Sequence, residues 1–151
     1  MDYEIDDLDR GILRRLQADG RAQFLDLARE LGVSGGTIHA RVAKMKAAGV
    51  IRGSKVLLDP SALGFGVQAF VGIILSKAGL SAKTRERLKA LPEIVEVHYT
   101  TGTYSLLAKV IVKTIPDLYA LLSQKLQAIE AIQSTETFVI LDTSVDRDIA
   151  V

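Results

Sequence analysis

The sequence predicts an α+β protein made of two parts, an N-terminal helix-turn-helix unit and a C-terminal unit with the element order βαββαβ. Three observations support this prediction. Apolar residues recur at helical spacing over the first fifty positions, and the period changes to alternation in several runs after position 66. Pro and Gly are concentrated between these two patterns. We therefore place the domains at residues 1–60 and 61–151.

Three helices are predicted in the first part. The first begins at an Asp cap and ends near residue 19, the second ends at Gly32, and the third is capped by Ser34. Their apolar positions are Leu8, Ile12, Leu13 and Leu16, then Phe24, Leu27, Ala28 and Leu31, then Ile38, Val42 and Met45. Because only Gly32 and Val33 separate the second and third helices, the pair forms a helix-turn-helix pattern. Residues 50–58 are predicted to be extended.

The second part alternates strands and helices. Strands are predicted at residues 67–76, 94–101, 104–113 and 132–141, and helices at residues 81–91 and 115–129. This order is the split βαβ, or ferredoxin-like, arrangement, in which two helices cover one face of the sheet. Apolar strand residues also point to the open face, which predicts a homo-oligomer. The polar end of the chain, residues 142–151, is predicted to be exposed.

Composition excludes several classes of protein. The absence of Cys removes disulfides, thiolate metal sites and cysteine nucleophiles, and two His residues are too few for a three-His metal site. No apolar run approaches the roughly 20 residues of a membrane helix, and the acidic start does not resemble a signal peptide. Motifs of catalytic sites, such as GxSxG and HExxH, are absent. We expect a cytoplasmic protein without metal, cofactor, membrane partner or enzymatic activity.

The third helix is basic, although the net charge of the whole chain is only +1. Between residues 34 and 55 there is no Asp or Glu, and the basic residues are Arg41, Lys44, Lys46, Arg52 and Lys55. The helix side opposite the apolar stripe carries Gly and Ala, which allow close approach to another surface. Small residues with basic edges suit the major groove of double-stranded DNA.

A solvated basic face is the alternative to a DNA-binding face. Solvated helices usually mix charges through i,i+4 pairs, so the missing acids favour DNA. The candidate DNA-contacting residues are Ser34, Gly36, Thr37, His39, Arg41, Lys44, Lys46 and Arg52. If five basic residues each neutralised one phosphate, log K would fall with log salt at a slope of about −4 to −5 per subunit.

Two hydroxyl-rich segments in the second part indicate a ligand site. They are "YTTGTYS", residues 99–105, and "QSTET", residues 133–137. Backbone N–H groups and hydroxyls of this kind can hydrogen-bond a small zwitterion. The alternative is that Ser and Thr only occupy exposed strand ends, which is the commoner situation. Gly102 allows a tight turn or close backbone approach.

Long stretches of the chain resemble the Lrp/AsnC, or feast/famine, family of transcriptional regulators. They are "IDDLDRGIL", "LARELGVSGGTIHARVAKMKAAGVI", "LLDPSALGFG", "YTTGTYSLLAKV" and "IQSTETFVIL". The resemblance implies a winged-type helix-turn-helix domain and an ACT-like, ferredoxin-like domain that forms homodimers, which assemble into octamers or larger rings. It also implies an amino-acid effector bound between dimers. The matching residues are Tyr99, Thr101, Gly102, Thr103, Tyr104, Ser105, Gln133, Ser134, Thr135, Glu136 and Thr137.

The resemblance thus implies a sequence-specific DNA-binding regulator modulated by a free amino acid. Asparagine is the first choice of effector, and a leucine- or methionine-responsive global regulator is the alternative. A small enzyme built on the ferredoxin-like half is an alternative from another class, and the missing catalytic cluster disfavours it. Two positions depart from the family pattern: many relatives have Asp at the position of Ser105 and Pro at that of Gly35.

Overall fold

A computed structural model describes residues 3–76 and 81–151. These residues form two compact units. The first unit runs to Leu57 and also includes Val145–Val151, and the second unit comprises Leu58–Ser144. The end of the chain therefore groups with the first unit, although the domain boundary predicted from the sequence places it in the second. No helix in the described ranges combines the length and the apolar character needed to span a membrane.

The first unit begins with helix α1, Asp7–Ala18. The Asp6 side chain accepts the backbone N–H of Asp9 at 2.9 Å, and the Asp9 carboxylate accepts the backbone N–H of Asp6 at 3.3 Å. This reciprocal capping box satisfies two N–H groups that would otherwise lack partners at the start of a helix. The predicted Asp cap is confirmed, and Asp6 is the residue that provides it.

Helices α2, Phe24–Leu31, and α3, Gly35–Ala47, form the predicted helix-turn-helix. Gly32 ends α2 in the left-handed conformation, with φ of 67°, which a residue without Cβ adopts at little cost. Ser34 caps α3 by accepting the backbone N–H of Thr37 at 3.1 Å. The turn between the two helices is therefore specified by one Gly and one Ser.

The core of the first unit joins all three helices. Its buried apolar residues are Ile12, Leu27, Ala28, Ile38, Val42 and Met45. Each lies at a position that the helical spacing predicts. Burial of these aliphatic side chains gives most of the stability of such a small unit, at roughly 25 cal/mol per Å² of apolar surface removed from water.

Residues 50–58, which are predicted to be extended, follow α3 without forming a strand. Leu57 is 82% exposed and Val56 is 73% exposed. An isolated extended segment has no partner for its backbone N–H and C=O groups, and the described strands all lie in the second unit. The strand of the expected winged-type motif is therefore not formed among the described residues of the first unit.

The end of the chain contacts α1 through its backbone. Gln17 Nε2 donates to the carbonyl oxygen of Ile149 at 3.1 Å, and Arg14 Nε donates to that of Val151 at 2.7 Å. Most of the segment remains exposed, as the sequence predicts. These two hydrogen bonds explain why the segment groups with the first unit.

The second unit contains a four-stranded antiparallel sheet, and its strand order is β2-β3-β1-β4. The strands are β1, Val67–Leu75, β2, Ile94–Tyr99, β3, Leu106–Val112, and β4, Ile132–Val139. This order confirms the ferredoxin-like arrangement. Both parts of the predicted α+β fold are therefore present.

Two helices connect the strands of this sheet. Helix α4, Ala82–Lys89, is capped by Ser81, and helix α5, Ile115–Ala120, is capped by Thr114. Helix α5 continues as a π-helical segment, Leu121–Leu126. The single helix predicted for residues 115–129 thus changes its hydrogen-bond pattern at its middle and ends about one turn early.

Alternation along the strands separates the two faces of the sheet. The helix-facing residues of β1 and β3 are buried; they are Ala69, Val71, Ile73, Leu75, Leu106, Ala108, Val110 and Val112. On the other face, named here the open face, Phe70, Ile74, Leu107 and Ile111 are only partly buried. The open face therefore carries several apolar residues, as the sequence predicts, together with polar ones such as Lys109 and Glu136.

The connection between β2 and β3 is longer than predicted. Strand β2 ends at Tyr99 instead of residue 101, and β3 begins at Leu106 instead of residue 104. The backbone N–H of Thr100 still bonds the carbonyl oxygen of Ser105, at 3.2 Å. Gly102, with φ of 112°, leaves strand geometry inside this loop. Residues 100–105 therefore form a closed loop at the end of the sheet.

Candidate DNA-binding helix and candidate effector site

A stripe of small residues forms the solvent side of α3. Gly36, Ala40, Ala43 and Ala47 are all exposed, and they lie within about 60° of each other around the helix axis. The buried residues of α3 lie on the opposite side. The helix backbone along this small-residue stripe is therefore free to approach another surface closely.

Two lysines flank the small-residue stripe. Lys44 and Lys46 project about 80° to either side of its centre. Both are exposed, and neither forms an ion pair within the described parts of the chain. Arg52, which follows the helix, is exposed as well. These cations have the reach and the freedom to meet phosphates on both sides of a groove.

Three other predicted DNA-contacting residues have partners within the unit. The hydroxyls of Ser34 and Thr37 lie 2.9 Å apart, and Ser34 also caps the helix. The His39 ring packs edge-on against Phe24 with a centroid separation of 4.6 Å. His39 therefore connects α3 to α2 through this ring contact. Its side chain is nevertheless exposed to solvent. Gly36 remains open.

Arg41 lies away from the small-residue stripe and turns towards α1. Its Nη1 lies 2.6 Å from Asp6 Oδ2 and 3.3 Å from Asp9 Oδ2. The backbone N–H of Asp9 and the Arg41 guanidinium together hold the pKa of Asp6 below its ordinary value. Hydrogen bonds to Asp6 and Tyr3 raise the pKa of Arg41. The sequence predicts that Arg41 contacts a phosphate, but the structure gives it two carboxylate partners.

Sequence reasoning missed the partners of Arg41. The D-x-x-D pattern of Asp6 and Asp9 is visible in the sequence as a possible capping box. Nothing local, however, connects these residues to Arg41, which follows more than thirty positions later. Only the packing of α3 against α1 brings the three charges together.

In the second unit, Tyr104 is the central side chain of the predicted effector residues. Its ring lies over Gly72 on the open face, and its hydroxyl donates to the carboxylate of Glu136. Phe138 packs edge-on against the same ring at a centroid separation of 6.2 Å. This contact joins the β2–β3 loop to β4, which are the two segments that the sequence singles out.

Hydrogen bonds hold the base of the β2–β3 loop. Thr100 Oγ1 donates to the carbonyl oxygen of Tyr104 at 2.6 Å, and the backbone N–H of Leu75 donates to Ser105 Oγ at 3.3 Å. The tip, formed by Thr101, Gly102 and Thr103, is exposed. The loop therefore has a fixed base and a polar tip.

The predicted effector residues divide between the two faces of the sheet. Ser134 and Glu136 pair with open-face residues of β1, whereas Thr135 and Thr137 pair with residues whose side chains enter the core. Tyr99 pairs with buried Leu106 and therefore also lies on the helix-covered face. Gln133 is exposed beside a register shift between β1 and β4. Only part of the predicted set can thus meet one ligand within one chain.

A separate groove lies on the helix-covered side, between α4 and β2. Its volume is about 730 Å³, and its lining includes Leu88, Ile94, Val97 and Tyr99. Tyr99 is the only predicted effector residue that lines it. Since the hydroxyl-rich residues lie elsewhere, this groove does not coincide with the predicted site.

The chemistry at the open face is that of a site for a small polar molecule. Glu136 supplies a carboxylate, and the hydrogen bond from Tyr104 to that carboxylate raises the pKa of the Tyr104 phenol. Backbone N–H groups at the exposed loop tip can bind a carboxylate. Within the described residues, no group of three or more His, Asp or Glu could hold a metal ion. Gly72 and Phe138 were missed by sequence reasoning, although a Gly inside an apolar strand often marks a close approach.

Each of the two units matches a known family of protein domains. Residues 5–46 match the AsnC-type helix-turn-helix domain, and residues 68–149 match the Lrp/AsnC ligand binding domain. The chain is 45% identical to regulatory protein AsnC of Haemophilus influenzae over 97% of this chain and 98% of that protein.

Solved structures show the same similarity. The structure of AsnC from Escherichia coli has a TM-score of 0.93 and 44% identity, covering 98% of this chain and 99% of that one. A feast or famine regulatory protein from Mycobacterium tuberculosis, complexed with L-methionine, has a TM-score of 0.86 and 29% identity, covering 95% and 96%. From its helix-turn-helix unit, its effector-type domain and these similarities, the chain belongs to the Lrp/AsnC family of transcriptional regulators.

Proposed function

We propose that this protein binds specific sequences in double-stranded DNA through α3, and that a free amino acid controls this binding. Asparagine is the proposed effector. The DNA-binding half of the proposal rests on the small-residue stripe of α3, whose two flanking lysines form no ion pair within the described residues. A regulator of this kind acts in the cytoplasm of a bacterial cell, where its DNA lies.

Charge and shape both support the assignment of DNA as the partner. A helix whose exposed centre is Gly and Ala can enter a major groove about 12 Å wide. Lys44, Lys46 and Arg52 would then contact the phosphates, while the free backbone N–H groups at the start of α3 would favour a further phosphate. Ser34, Thr37 and His39 would lie near the groove, and Gly36 would permit the closest approach.

The open-face site supports an amino acid as the effector. An amino acid carries an ammonium group, which the Glu136 carboxylate can bind, and a carboxylate, which the backbone at the β2–β3 loop tip can bind. Strong similarity to AsnC proteins favours asparagine. The more distant mycobacterial relative is complexed with L-methionine. Methionine, and with it leucine, is therefore the alternative effector.

Oligomer formation would complete the site. The apolar residues of the open face fit a homodimer interface, and the family resemblance extends this to an octamer of four dimers. Residues on the other face of β4, such as Thr135 and Thr137, would then serve a ligand between dimers. Effector binding would shift the equilibrium between arrangements of the DNA-binding units, and this linkage is reciprocal between effector and DNA.

The DNA-binding proposal is tested by fluorescence anisotropy with labelled duplexes that the wild-type chain selects from a random pool. We expect log K to fall linearly with log salt concentration. Lys44→Ala and Lys46→Ala should each reduce the magnitude of the slope by about 0.9, whereas the control Lys83→Ala, on α4 of the second unit, should leave it unchanged. Failure to select any duplex at low salt would contradict the proposal.

The effector proposal is tested by thermal unfolding with each of the twenty amino acids. A ligand at one hundred times its Kd stabilises the folded protein by about 2.7 kcal/mol, so an effector should raise the melting temperature clearly. Asparagine should give the largest increase. An increase only with leucine or methionine would favour the alternative regulator, and no increase with any amino acid would refute the sensing function.

A further inference from the structure

A compact charged cluster links the start of α1 to the middle of α3. Besides Arg41, two other groups donate to the Asp9 carboxylate. Asp9 Oδ2 accepts the Tyr3 hydroxyl at 2.9 Å, the backbone N–H of Asp6 at 3.3 Å and Arg41 Nη1 at 3.3 Å. The same Arg41 nitrogen donates to Asp6 at 2.6 Å. One guanidinium therefore holds two carboxylates at the start of α1, that of the cap residue Asp6 and that of Asp9.

This cluster is unusual because Asp9 is completely buried. Its second oxygen, Oδ1, has no hydrogen-bond partner among the described residues. A buried carboxylate is costly to desolvate, and a buried ion pair is often no more stable than apolar residues of the same size. The cluster is therefore a poor way to gain stability. What it does supply is a directional connection between two helices, because guanidinium hydrogen bonds have a fixed geometry.

The position of Arg41 on α3 also indicates a connection between the two helices and not a contact with DNA. The residue lies about 140° from the centre of the small-residue stripe, on the side that faces the protein. Its side chain is 33% exposed. Lys44 lies one turn further along the helix, nearer the stripe, and no carboxylate in the described structure holds it.

We propose that Arg41 is a positioning residue for DNA recognition. It sets the rotation and depth of α3 through Asp6 and Asp9, and it does not neutralise a DNA phosphate. This inference rests on the proposed binding of DNA by α3. The opposite view is that Arg41 contacts a phosphate and that its ion pairs are incidental.

The two views predict opposite signs for one substitution. Asp6→Asn keeps a side-chain oxygen that caps α1 as well as Asp does, but it removes the nearer of the two carboxylate charges that hold Arg41. If Arg41 were a phosphate contact, the loss of a competing carboxylate would strengthen DNA binding. If Arg41 positions α3, the same change weakens specific binding, although the protein becomes more positive.

The experiment uses the full chain and the duplex that the wild type selects, together with a scrambled duplex. Affinities are measured at several salt concentrations for wild type, Arg41→Gln, Asp6→Asn, the double variant and the control Lys44→Gln. Thermal unfolding and titration of the active fraction ensure that only folded protein is compared. Lys44→Gln should weaken both duplexes alike and reduce the salt slope by about 0.9.

Positioning predicts a different pattern for Arg41→Gln. Affinity for the selected duplex should fall about tenfold, affinity for the scrambled duplex should change little, and the salt slope should remain that of wild type. Asp6→Asn should also lower the affinity for the selected duplex. The double variant should bind that duplex no more weakly than Arg41→Gln alone, since both substitutions act through one contact. A role in folding alone would lower the melting temperature without changing the ratio between the two duplexes.

Several results would overturn the inference. They are a salt slope reduced by about 0.9 in Arg41→Gln, tighter binding by Asp6→Asn, or an unchanged ratio between duplexes. If Arg41→Gln did not fold, Asp6→Asn would decide by its sign alone. A wild-type chain that selected no duplex would instead contradict the proposed function, and this inference with it.

Discussion

The ring of Tyr104 lies directly on Gly72. A Cβ atom added to Gly72 would lie 2.6 Å from Tyr104 Cδ1, closer than such atoms approach in folded proteins. Glu136, the partner of the Tyr104 hydroxyl, is directly opposite Gly72 in the pairing of β1 with β4. The absence of a side chain at Gly72 therefore determines where the aromatic ring and its hydroxyl lie.

We expect Gly72→Ala to displace Tyr104 from Glu136 and to destabilise the second unit by about 1–3 kcal/mol, because overpacking forces neighbouring atoms to move. Thermal unfolding should show the loss, and any melting shift caused by an amino acid should become smaller. Gly66→Ala is the matched control, since its Cβ would meet only the carbonyl oxygen of Lys113 at 3.6 Å. Equal stability of the two variants would contradict the prediction.

The β2–β3 loop should be equally sensitive at Gly102. Its φ of 112° is strained for any residue with a Cβ, so Gly102→Ala should cost about 1–3 kcal/mol or rearrange the loop tip. In either case the melting shift produced by the effector should decrease. DNA binding by dimers without effector should persist. Thr103→Ala, which leaves the backbone unstrained, is the control and should retain the stability of wild type.

At the start of α3, replacing a glycine should stabilise the protein, in contrast to the substitutions of Gly72 and Gly102. Gly35 is the first residue of the helix, nothing lies within 4 Å of an added Cβ, and the preceding Ser34 has ψ of 153°. Pro is favoured at this position and follows an extended residue well. Gly35→Pro should therefore stabilise the protein by about 0.4–1 kcal/mol. A lower midpoint in urea unfolding would refute this prediction.

Gly49→Pro is the contrasting variant. Gly49 has φ of 76°, which the pyrrolidine ring forbids, and its backbone N–H donates to the carbonyl oxygen of Lys46 at 3.0 Å. This substitution should lower the same midpoint by more than Gly35→Pro raises it.

The hydrogen bond between Tyr104 and Glu136 should be visible in a pH titration. It raises the pKa of Tyr104, so the stability that it contributes is complete below the ordinary phenol pKa of about 10. This stability disappears as the pH rises through the higher pKa of the folded protein. Absorbance at the phenolate wavelength should show one of the four tyrosines titrating at lower pH in Glu136→Gln than in wild type.

Tyr104→Phe identifies the chromophore in that titration. The high-pH phase that depends on Glu136 should be missing in this variant. Tyr3, whose pKa is also raised, first by burial and then by its hydrogen bond to Asp9, should titrate as in wild type. If Glu136→Gln left every tyrosine unchanged, the contact would not exist in solution.

Much of the fold is determined by local patterns in the sequence. The spacing of Ile12, Leu27, Ile38 and Met45 predicts three helices and their core, and Ser34 and Gly32 specify where α3 begins and α2 ends. The alternation of β1 and β3 likewise predicts which residues the helices cover. These predictions succeed because helix periodicity, strand alternation and caps depend on residues a few positions apart.

The tertiary structure decided which charges and rings meet. The Arg41 side chain meets Asp6 and Asp9 only because α3 packs across α1, and no spacing along the chain encodes that approach. In the same way, strand order places Tyr104 over Gly72 and opposite Glu136, and β4 alternation sends Thr135 to the other face. Thus the sequence by itself determined the family, the two units and the basic helix, whereas packing decided whether a given side chain is free for a ligand or already bound within the protein.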